Sequence, residues 1–309
     1  MFVYLSYHIV SILHSIKTNK LISAVQNLSL VEVRLIQLAI IDARETGLGL
    51  SAEKPLTIGA ERYAKAFNVN KKNAYEMLKE AEDTLFNRRF SFIDSDGKMV
   101  KSRWVQQVKY FDGEGKIEIA FTTAVVKGIS RIDGAVDFFT QYLLSNTVKF
   151  KSVYSVRLYE LLVQWKNADL RKIPMLELDK LRGQLGIDTN QYQMIADFKK
   201  RVLDKAISEI NEHSDLVVSY EQVKEGRVIS GFRFKIRVKQ VEKDQDKPIK
   251  MTNKQRAFFA VRLAHHPELQ ELAQVGKSME EYIGDIFEQL ETPKGQEFYK
   301  KYLFEVGFK

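Results

Sequence analysis

The sequence contains no cysteine, which excludes several kinds of chemistry at once. A chain of 309 residues without a thiol has no disulfide framework, no cysteine nucleophile and no cysteine-ligated zinc. Proline and glycine are scarce, with 5 and 16 residues, while 45% of the residues are hydrophobic and 28% are charged. This composition is typical of a soluble globular protein with two or three domains. The missing cysteine favours a reducing cytoplasm as its location.

The sequence also has no hydrophobic run long enough to cross a membrane. Residues 1–16 are apolar and carry no charged side chain. They are shorter than the roughly 20 residues of a spanning helix, and His8 and His14 interrupt them. They lack the basic region and the small-residue cleavage site of a signal peptide. We therefore expect no membrane partner, and residues 1–16 fit either a packed N-terminal helix or a start codon assigned too far upstream.

Catalytic constellations are missing as well. Residues 113–116, "GEGK", lack the spacing and the trailing Ser or Thr of a phosphate-binding loop, and they are predicted to form a hairpin turn. His265 and His266 are sequence neighbours, so on a helix they point about 100° apart and cannot form one metal-binding face. The histidine–apolar–histidine signature of nicking replication endonucleases is absent, which argues against a nicking enzyme. We predict no enzymatic activity, no cofactor and no metal.

Charge is the first positive signal. The formal net charge is +8, and it is unevenly distributed. Residues 240–309 hold 11 basic and 12 acidic residues, whereas residues 1–239 hold 37 and 28. A basic body of this kind favours a nucleic acid or another anionic surface as partner.

The chain repeats itself at offsets of 118 to 125 residues. The matching segments are 33–43 with 156–166, 56–69 with 174–187, and 73–93 with 200–220, and in the last pair the matching apolar residues are 125 residues apart. Apolar residues recur at helical spacing in the last pair, as Leu78, Ala81 and Leu85 and as Leu203, Ala206 and Ile210. Each copy is predicted to form a helix, a short strand, a short helix, a turn, a longer helix and a β-hairpin. This order predicts an α+β protein of two tandem winged-helix domains.

Domain boundaries follow from the repeat. We expect an N-terminal segment at 1–27, a first winged helix at 28–135, a connector at 136–150 and a second winged helix at 151–239. Residues 240–309 are expected to be a polar linker and a helical extension, with amphipathic runs near 255–265 and 279–290. Leucines 21, 28 and 35 follow a heptad, but core packing explains them better than a zipper does, although the first winged helix could still dimerise.

The second copy carries the stronger DNA-binding signal. Its long helix contains Lys199, Lys200, Arg201 and Lys205, and His213 is predicted near its C-terminus, where a partly cationic ring suits the helix dipole. Its hairpin contains Lys224, Arg227, Arg233, Lys235, Arg237 and Lys239. Along "FRFKIRV" the basic residues alternate with Phe234, Ile236 and Val238, which predicts one charged and one packed face. A merely solvated strand face is the alternative interpretation.

The first copy resembles a weaker DNA-binding unit. Its long helix begins with Lys71, Lys72 and Asn73 but soon becomes acidic. We expect it to hold the DNA backbone through these residues and through three arginines, Arg88, Arg89 and Arg103.

Several segments, taken in order, resemble the iteron-binding replication initiators of theta-replicating bacterial plasmids. They are "VRLIQLAIIDARETG" (33–47), "SRWV" (102–105), "YSVRLYELLVQW" (154–165), "RVLDKAISEINEHSDL" (201–216) and "YEQVKEGRVISGFRFKIR" (220–237). The resemblance covers about residues 20–239. It implies a non-catalytic protein that binds direct repeats in the plasmid origin, helps to open the duplex and recruits the host initiator and the replicative helicase. It also implies a homodimer, formed through the first winged helix, that represses its own gene.

The resemblance also implies roles for individual residues. Lys199, Lys200, Arg201 and Lys205 would lie in the major groove of double-stranded DNA. Arg227, Arg233 and Lys235 would serve the wing, and residues 28–46 would support the dimerising domain. The alternative function is a winged-helix transcriptional repressor without an origin function, which the sequence alone separates poorly from an initiator.

Overall fold

The computed structural model describes residues 13–130, 138–239, 251–270 and 277–308. The chain divides into two compact units, Met1–Lys239 and Gln240–Lys309. The first unit holds both winged helices, so the predicted α+β architecture of two winged-helix domains is confirmed.

The first winged helix combines five helices with two three-stranded antiparallel sheets. The helices are α1 (Asn19–Ile22), α2 (Leu30–Thr46), α3 (Ala60–Phe67), α4 (Lys71–Leu85) and α5 (Thr123–Ile129). The strands are β1 (His14–Thr18), β2 (Val25–Gln26), β3 (Leu56–Gly59), β4 (Arg89–Ile93), β5 (Met99–Arg103), β6 (Val105–Phe111) and β7 (Lys116–Phe121). The sheets have the strand orders β2-β4-β5 and β3-β7-β6.

The second winged helix follows the same plan. Residues 139–163 form β8 (Phe139–Leu143), α6 (Ser145–Val148) and α7 (Val153–Val163). They are followed by a 3-10 turn at Leu170–Lys172, α8 (Leu178–Leu185), α9 (Ile195–Phe198), a π-helical turn at Lys199–Leu203 and α10 (Asp204–His213). The strands of the second winged helix are β9 (Leu176–Glu177), β10 (Leu216–Glu225) and β11 (Val228–Val238). The hairpin β10–β11 pairs with β9 through β11, while β8 pairs with β1.

Helix α2 begins and ends where its sequence provides caps. Ser29 and Glu32 form a capping box, in which the Ser29 hydroxyl accepts from the Glu32 backbone and the Glu32 carboxylate accepts from the Ser29 backbone. Gly47 ends the helix with a φ of 74°, a left-handed conformation that glycine adopts without strain. The caps leave the long apolar face of α2 to pack inside the unit.

The prediction of an N-terminal helix is wrong for the part of residues 1–16 that the structure describes. His14 to Ile16 lie in β1, which pairs antiparallel with β8, and residues 1–12 lie outside the described residues. A short apolar run fits a strand as well as a helix, and here strand pairing decides the outcome. The segment boundaries at residues 28, 136 and 151 stay predictions. The β1–β8 pairing nevertheless joins the predicted N-terminal segment to the predicted connector.

One hydrophobic core runs through the first unit, from Leu13 to Ile236. All six apolar residues that define the repeat, in α4 and in residues 203–210, are buried in it. Leu21, Leu28 and Leu35 are buried there too, which agrees with core packing rather than a zipper.

The second unit is helical and has a core of its own. Its helices are α11 (Asn253–Ala264), α12 (Pro267–Gln270), α13 (Met279–Gln289) and α14 (Pro293–Glu305). Helices α11 and α13 match the predicted amphipathic runs, and Thr252 and Ser278 begin them with capping boxes. Among the described residues, no helix is long and apolar enough to cross a membrane.

Candidate nucleic-acid interface

A continuous helical segment forms the centre of the candidate interface. Residues 195–213, called here the recognition helix, comprise α9, the π-helical turn and α10. One face of this helix is buried through Phe198, Val202, Leu203, Ala206 and Ile210. The opposite face is therefore the one that can meet a ligand, and it carries Lys200, Arg201 and Lys205 together with the acidic residues Asp204 and Glu212. A π-helical turn is rare inside helices and is frequent at functional sites.

Four predicted DNA-binding residues lie on or beside this exposed face. Lys200 and Lys205 are exposed. Arg201 is 65% exposed, and its Nε lies 3.3 Å from Asp197 Oδ1 one turn earlier. Lys199 is half-buried, and its Nζ donates to Gln222 Oε1 of the hairpin at 3.2 Å. The structure thus brings the four side chains onto one helix, but only three of them point mainly into solvent.

The hairpin β10–β11 carries the second group of basic residues. Phe232, Phe234 and Ile236 are buried, whereas the alternating residues Arg233 and Lys235 are exposed. The predicted charged and packed faces of this strand are present, except that Val238 is 44% exposed because it lies at the strand end. Arg227 is exposed beside Gly226, whose φ of 64° allows the tight turn.

The hairpin is not uniformly positive. Lys235 forms an ion pair with Glu221 on the neighbouring strand, and Glu221 is also the register partner of Arg233. The hydrogen bond from Lys235, and then its charge, lower the pKa of the Glu221 carboxyl. Part of the basic charge of the wing is therefore neutralised in the free protein.

Three polar contacts hold the recognition helix and the hairpin together. The Tyr220 hydroxyl donates to Asp204 Oδ1 at 2.8 Å. Burial first, and then this contact, raise the pKa of Tyr220, so the hydroxyl keeps its proton. The Asn211 amide accepts from Val218 N at 2.6 Å and donates to Val218 O at 2.9 Å. With the Lys199–Gln222 bond, these contacts present the helix and the wing as one rigid surface.

The turn that enters the recognition helix is also fixed. Arg182 of α8 donates from Nη1 to Tyr192 O at 3.0 Å and from Nη2 to Gln191 O, and its guanidinium lies 5.4 Å from the Phe198 ring centre. Tyr192 has a φ of 46°, which is uncommon for a bulky residue. No sequence pattern points to Arg182, because its partners lie nine or ten residues further along a turn.

The first winged helix places its predicted residues less favourably. Asn70 caps α4, and Lys71, Lys72 and Asn73 are exposed in the first helical turn. Lys71 Nζ lies 3.3 Å from Glu61 Oε2, an exposed ion pair that DNA could displace.

The three predicted arginines of the first winged helix differ sharply. Arg88 Nε lies 2.8 Å from Oε1 of buried Glu32, so its charge compensates a buried carboxylate. Arg103 Nη1 donates to Phe86 O at 2.7 Å, and its guanidinium lies over the Phe86 ring. Of the three, Arg89 alone is exposed. The DNA contacts of all three stay predictions, and we carry only Arg89 into the proposal below.

The histidine pair and the "GEGK" segment have structural roles. Residues 112–115 form the turn between β6 and β7, as predicted for "GEGK". His265 Nδ1 lies 2.8 Å from Val261 O, whereas His266 Nε2 lies 2.9 Å from Glu305 Oε2, so the two rings have different partners. Within the described ranges, no group of three or more potential ligands could hold a metal ion.

Comparison with known proteins gives two family matches. The family model described as "Initiator Replication protein, WH1" matches residues 15–163. The model described as "Initiator Rep protein, WH2" matches residues 177–236. Together they cover more than half of the chain.

Individual relatives agree with this assignment. The chain is 26% identical over 243 residues to the "PI protein" of Escherichia coli, covering 70% of this chain and 79% of that protein. It is 22% identical over 209 residues to a "Replication initiation protein" of Escherichia coli, covering 66% and 61%. The crystal structure of Pi initiator protein in complex with iteron DNA matches with a TM-score of 0.55 at 23% identity, covering 74% of this chain and 98% of that one. This structural likeness shows a shared fold.

Proposed function

The chain belongs to the iteron-binding plasmid replication initiators, a family of DNA-binding proteins, and from this membership we propose that it binds direct repeats in a plasmid origin. The observation that carries the proposal is the recognition helix, which exposes Lys200, Arg201 and Lys205 while its apolar face is anchored in the core. A helix held in this way can enter the major groove of double-stranded DNA with its N-terminal residues at the base edges.

The two winged helices have different proposed tasks. In the second, Lys200, Arg201 and Lys205 meet the major groove, while Lys199 orients the hairpin and can reach a phosphate. Arg227 at the hairpin tip and Arg233 and Lys235 on its exposed face bind the neighbouring backbone. In the first, Lys71, Lys72, Asn73 and Arg89 hold phosphates of the same duplex. Such contacts position the protein without reading sequence.

The biological consequences belong to the same proposal. We propose that bound monomers help to open the origin duplex in the cytoplasm and recruit the host initiator and replicative helicase. We further propose that a homodimer formed through the first winged helix represses the initiator's own gene. The protein acts by binding and has no catalytic step of its own.

Sequence-specific binding can be tested by selection from random DNA. The full-length chain selects duplexes from a randomised library of roughly 30 base pairs, about three helical turns, and the selected duplex and a random duplex are then compared for affinity. Arg201→Ala should weaken binding to the selected duplex by about 5- to 150-fold if Arg201 meets a base, and weaken random binding much less. Equal losses on both duplexes would make Arg201 a phosphate contact.

A matched control exists in the same winged helix. Arg171 is 90% exposed and pairs with Asp169, as Arg201 pairs with Asp197, but it lies in a 3-10 turn outside the recognition helix. Arg171→Ala should leave both affinities within about twofold, the effect expected of an exposed ion pair. An equal effect of both substitutions would mean that overall charge, not the recognition helix, carries the binding.

Origin function needs a separate readout. A plasmid that depends on this gene should be lost from cells that express the Arg201→Ala chain. Selective DNA binding together with unchanged plasmid maintenance would instead favour a transcriptional repressor without an origin function.

A further inference from the structure

Acidic side chains lie beside the basic ones on the recognition helix, although its proposed ligand is a polyanion. Asp204 accepts from the Tyr220 hydroxyl at 2.8 Å, and Glu209 accepts from the Lys151 backbone at 3.0 Å, so both carboxylates serve the fold. Asp197 differs from them in place and in partner. It lies in the first turn of the helix, the part of a recognition helix that reaches base edges.

The partner of Asp197 is Arg201, one helical turn further along. Asp197 Oδ1 lies 3.3 Å from Arg201 Nε, and both side chains are accessible to solvent. Among the described residues, this carboxylate is the one partner of the Arg201 guanidinium. The ion pair therefore occupies the Nε side of the guanidinium and leaves the edge formed by Nη1 and Nη2 open.

The open edge is suited to reading a guanine. A guanidinium carries its N–H donors in one plane, and its two Nη atoms can donate in parallel to O6 and N7 of guanine in the major groove. A long side chain loses rotamer freedom when it is held in one geometry, and a carboxylate that already restrains Arg201 reduces that loss on binding. The ammonium groups of Lys200 and Lys205 act as point charges, which suit phosphates instead.

The negative charge of Asp197 works against a phosphate contact at the same place. A carboxylate beside a guanidinium weakens the positive potential that attracts phosphate oxygens, and it does so on every duplex. The orientation of Arg201, in contrast, is useful only where a guanine lies opposite. An arginine that served a phosphate would bind more tightly without this neighbour, so the pair favours discrimination over affinity.

We infer that Asp197 determines the specificity of the recognition helix, by positioning Arg201 for a guanine and by disfavouring unrelated duplex. The inference rests on the proposed function, because it assigns a base contact to this helix. Asp197 is a positioning residue, since it acts through Arg201 and needs no contact of its own with the DNA.

The experiment replaces Asp197 by asparagine, which has nearly the same shape and no charge. The full-length chain is measured on the duplex selected from the random library and on a random duplex. Affinity for random duplex should rise roughly twofold, because a nearby negative charge is lost. The ratio of the two affinities should fall at least about fivefold, the lower end of what a bidentate contact contributes.

Single base-pair changes in the selected duplex then locate the effect. Asp197→Asn should abolish discrimination at one G·C pair, the same pair at which Arg201→Ala abolishes it. Arg201→Lys should do so as well, because lysine keeps the charge but has no bidentate edge, and this variant leaves the first turn of the helix unchanged. In the Arg201→Ala chain, Asp197→Asn should no longer alter the ratio, since its effect is transmitted by Arg201.

A matched control pair lies in the same winged helix. Asp169 Oδ2 lies 2.9 Å from Arg171 Nη2, outside the recognition helix. Asp169→Asn removes the same charge from the same kind of pair and should leave the ratio of the two affinities unchanged. An equal fall of the ratio in both asparagine variants would overturn the inference.

The remaining outcomes separate this inference from the proposed function. Failure of the unsubstituted chain to select any sequence over random duplex would overturn the proposed function and, with it, the inference. Selective binding in which Asp197→Asn raises both affinities equally would overturn the inference alone, because the carboxylate would then only repel DNA. An aspartate in a first turn also favours the helix dipole, so a lower thermal midpoint with unchanged discrimination would assign Asp197 that structural role instead. Full discrimination by Arg201→Lys would also overturn the inference.

Discussion

Replacing Glu160 by glutamine should reveal how strongly one buried carboxylate supports the first unit. Its carboxylate accepts from Lys17 Nζ at 2.6 Å, Arg157 Nη1 at 2.6 Å and the Tyr142 hydroxyl at 2.5 Å, and all four side chains are buried. Burial alone would raise the pKa of Glu160, but the charges of Lys17 and Arg157 outweigh it and lower the pKa to about 2. Glu160 is thus ionised and surrounded by donors.

The expected loss follows from the charge balance of this cluster. The substitution removes the one negative charge and leaves Arg157 buried without compensation, beside Lys17, whose pKa burial already lowers. Breaking a buried pair in this way typically costs about 3–5 kcal/mol. Lys17→Met makes the opposite change: Glu160 keeps Arg157, the cluster becomes neutral, and methionine fills a similar volume. Lys17→Met should therefore cost less than half as much as Glu160→Gln. If the number of lost hydrogen bonds decided stability instead, both Glu160→Gln and Lys17→Met would be damaging.

Urea unfolding at pH 7, followed by tryptophan fluorescence, measures the free energy of unfolding for each variant. Buried Trp104 reports on the first unit. Glu61→Gln is the control, because Glu61 forms an exposed pair with Lys71 and its loss should leave stability nearly unchanged. If Lys17→Met destabilised the chain as much as Glu160→Gln, the charge-balance reasoning would be refuted.

Three further outcomes follow from single sites. The pKa of Glu160 is lower in the folded chain than the unfolded value of 4.5, so its contribution to the free energy of unfolding is fully present above pH 4.5. Acid titration of stability should show a loss of about 3 kcal/mol as the pH falls towards 2. Gly115→Ala should lower the thermal midpoint much more than Gly113→Ala, although both glycines have positive φ. A Cβ atom added at Gly115 would lie 2.5 Å from the Tyr75 ring, whereas one added at Gly113 would meet no atom within 4 Å. Arg88→Ala should reduce stability with little effect on DNA affinity, and Arg89→Ala should do the reverse, when both are measured side by side.

The periodic parts of the fold could be predicted from the sequence. The recognition helix is predictable because its apolar residues recur at helical spacing, and Leu203, Ala206 and Ile210 are all buried. The hairpin is predictable because alternation places Phe234 and Ile236 inside. Because burial requires apolar residues at helical or strand spacing, both patterns are visible in the local sequence. The internal repeat can therefore be recognised without a structure.

The contacts of Arg157 could not be predicted in the same way. Arg157 contacts Ile22 across 135 residues, and nothing in a local pattern distinguishes an arginine that binds three carbonyls from one that faces solvent. Strand β1 could not be predicted for a related reason. Its Lys17 is buried against the usual preference of lysine for the surface, and only the distant carboxylate of Glu160 makes that burial favourable.

The basic residues of the first winged helix show where a charge count misleads. Arg88 and Arg89 are neighbours in sequence, and both are predicted to bind DNA, yet one compensates buried Glu32 and the other is exposed. The signal that separates them lies elsewhere, in the capping box at Ser29, whose Glu32 would ordinarily face solvent. When tertiary packing buries that carboxylate, it must be paired, and the half-buried Arg88 supplies the compensating charge. Which basic side chains stay exposed is therefore decided partly by the buried acids, and on the recognition helix Lys200 and Lys205 remain exposed.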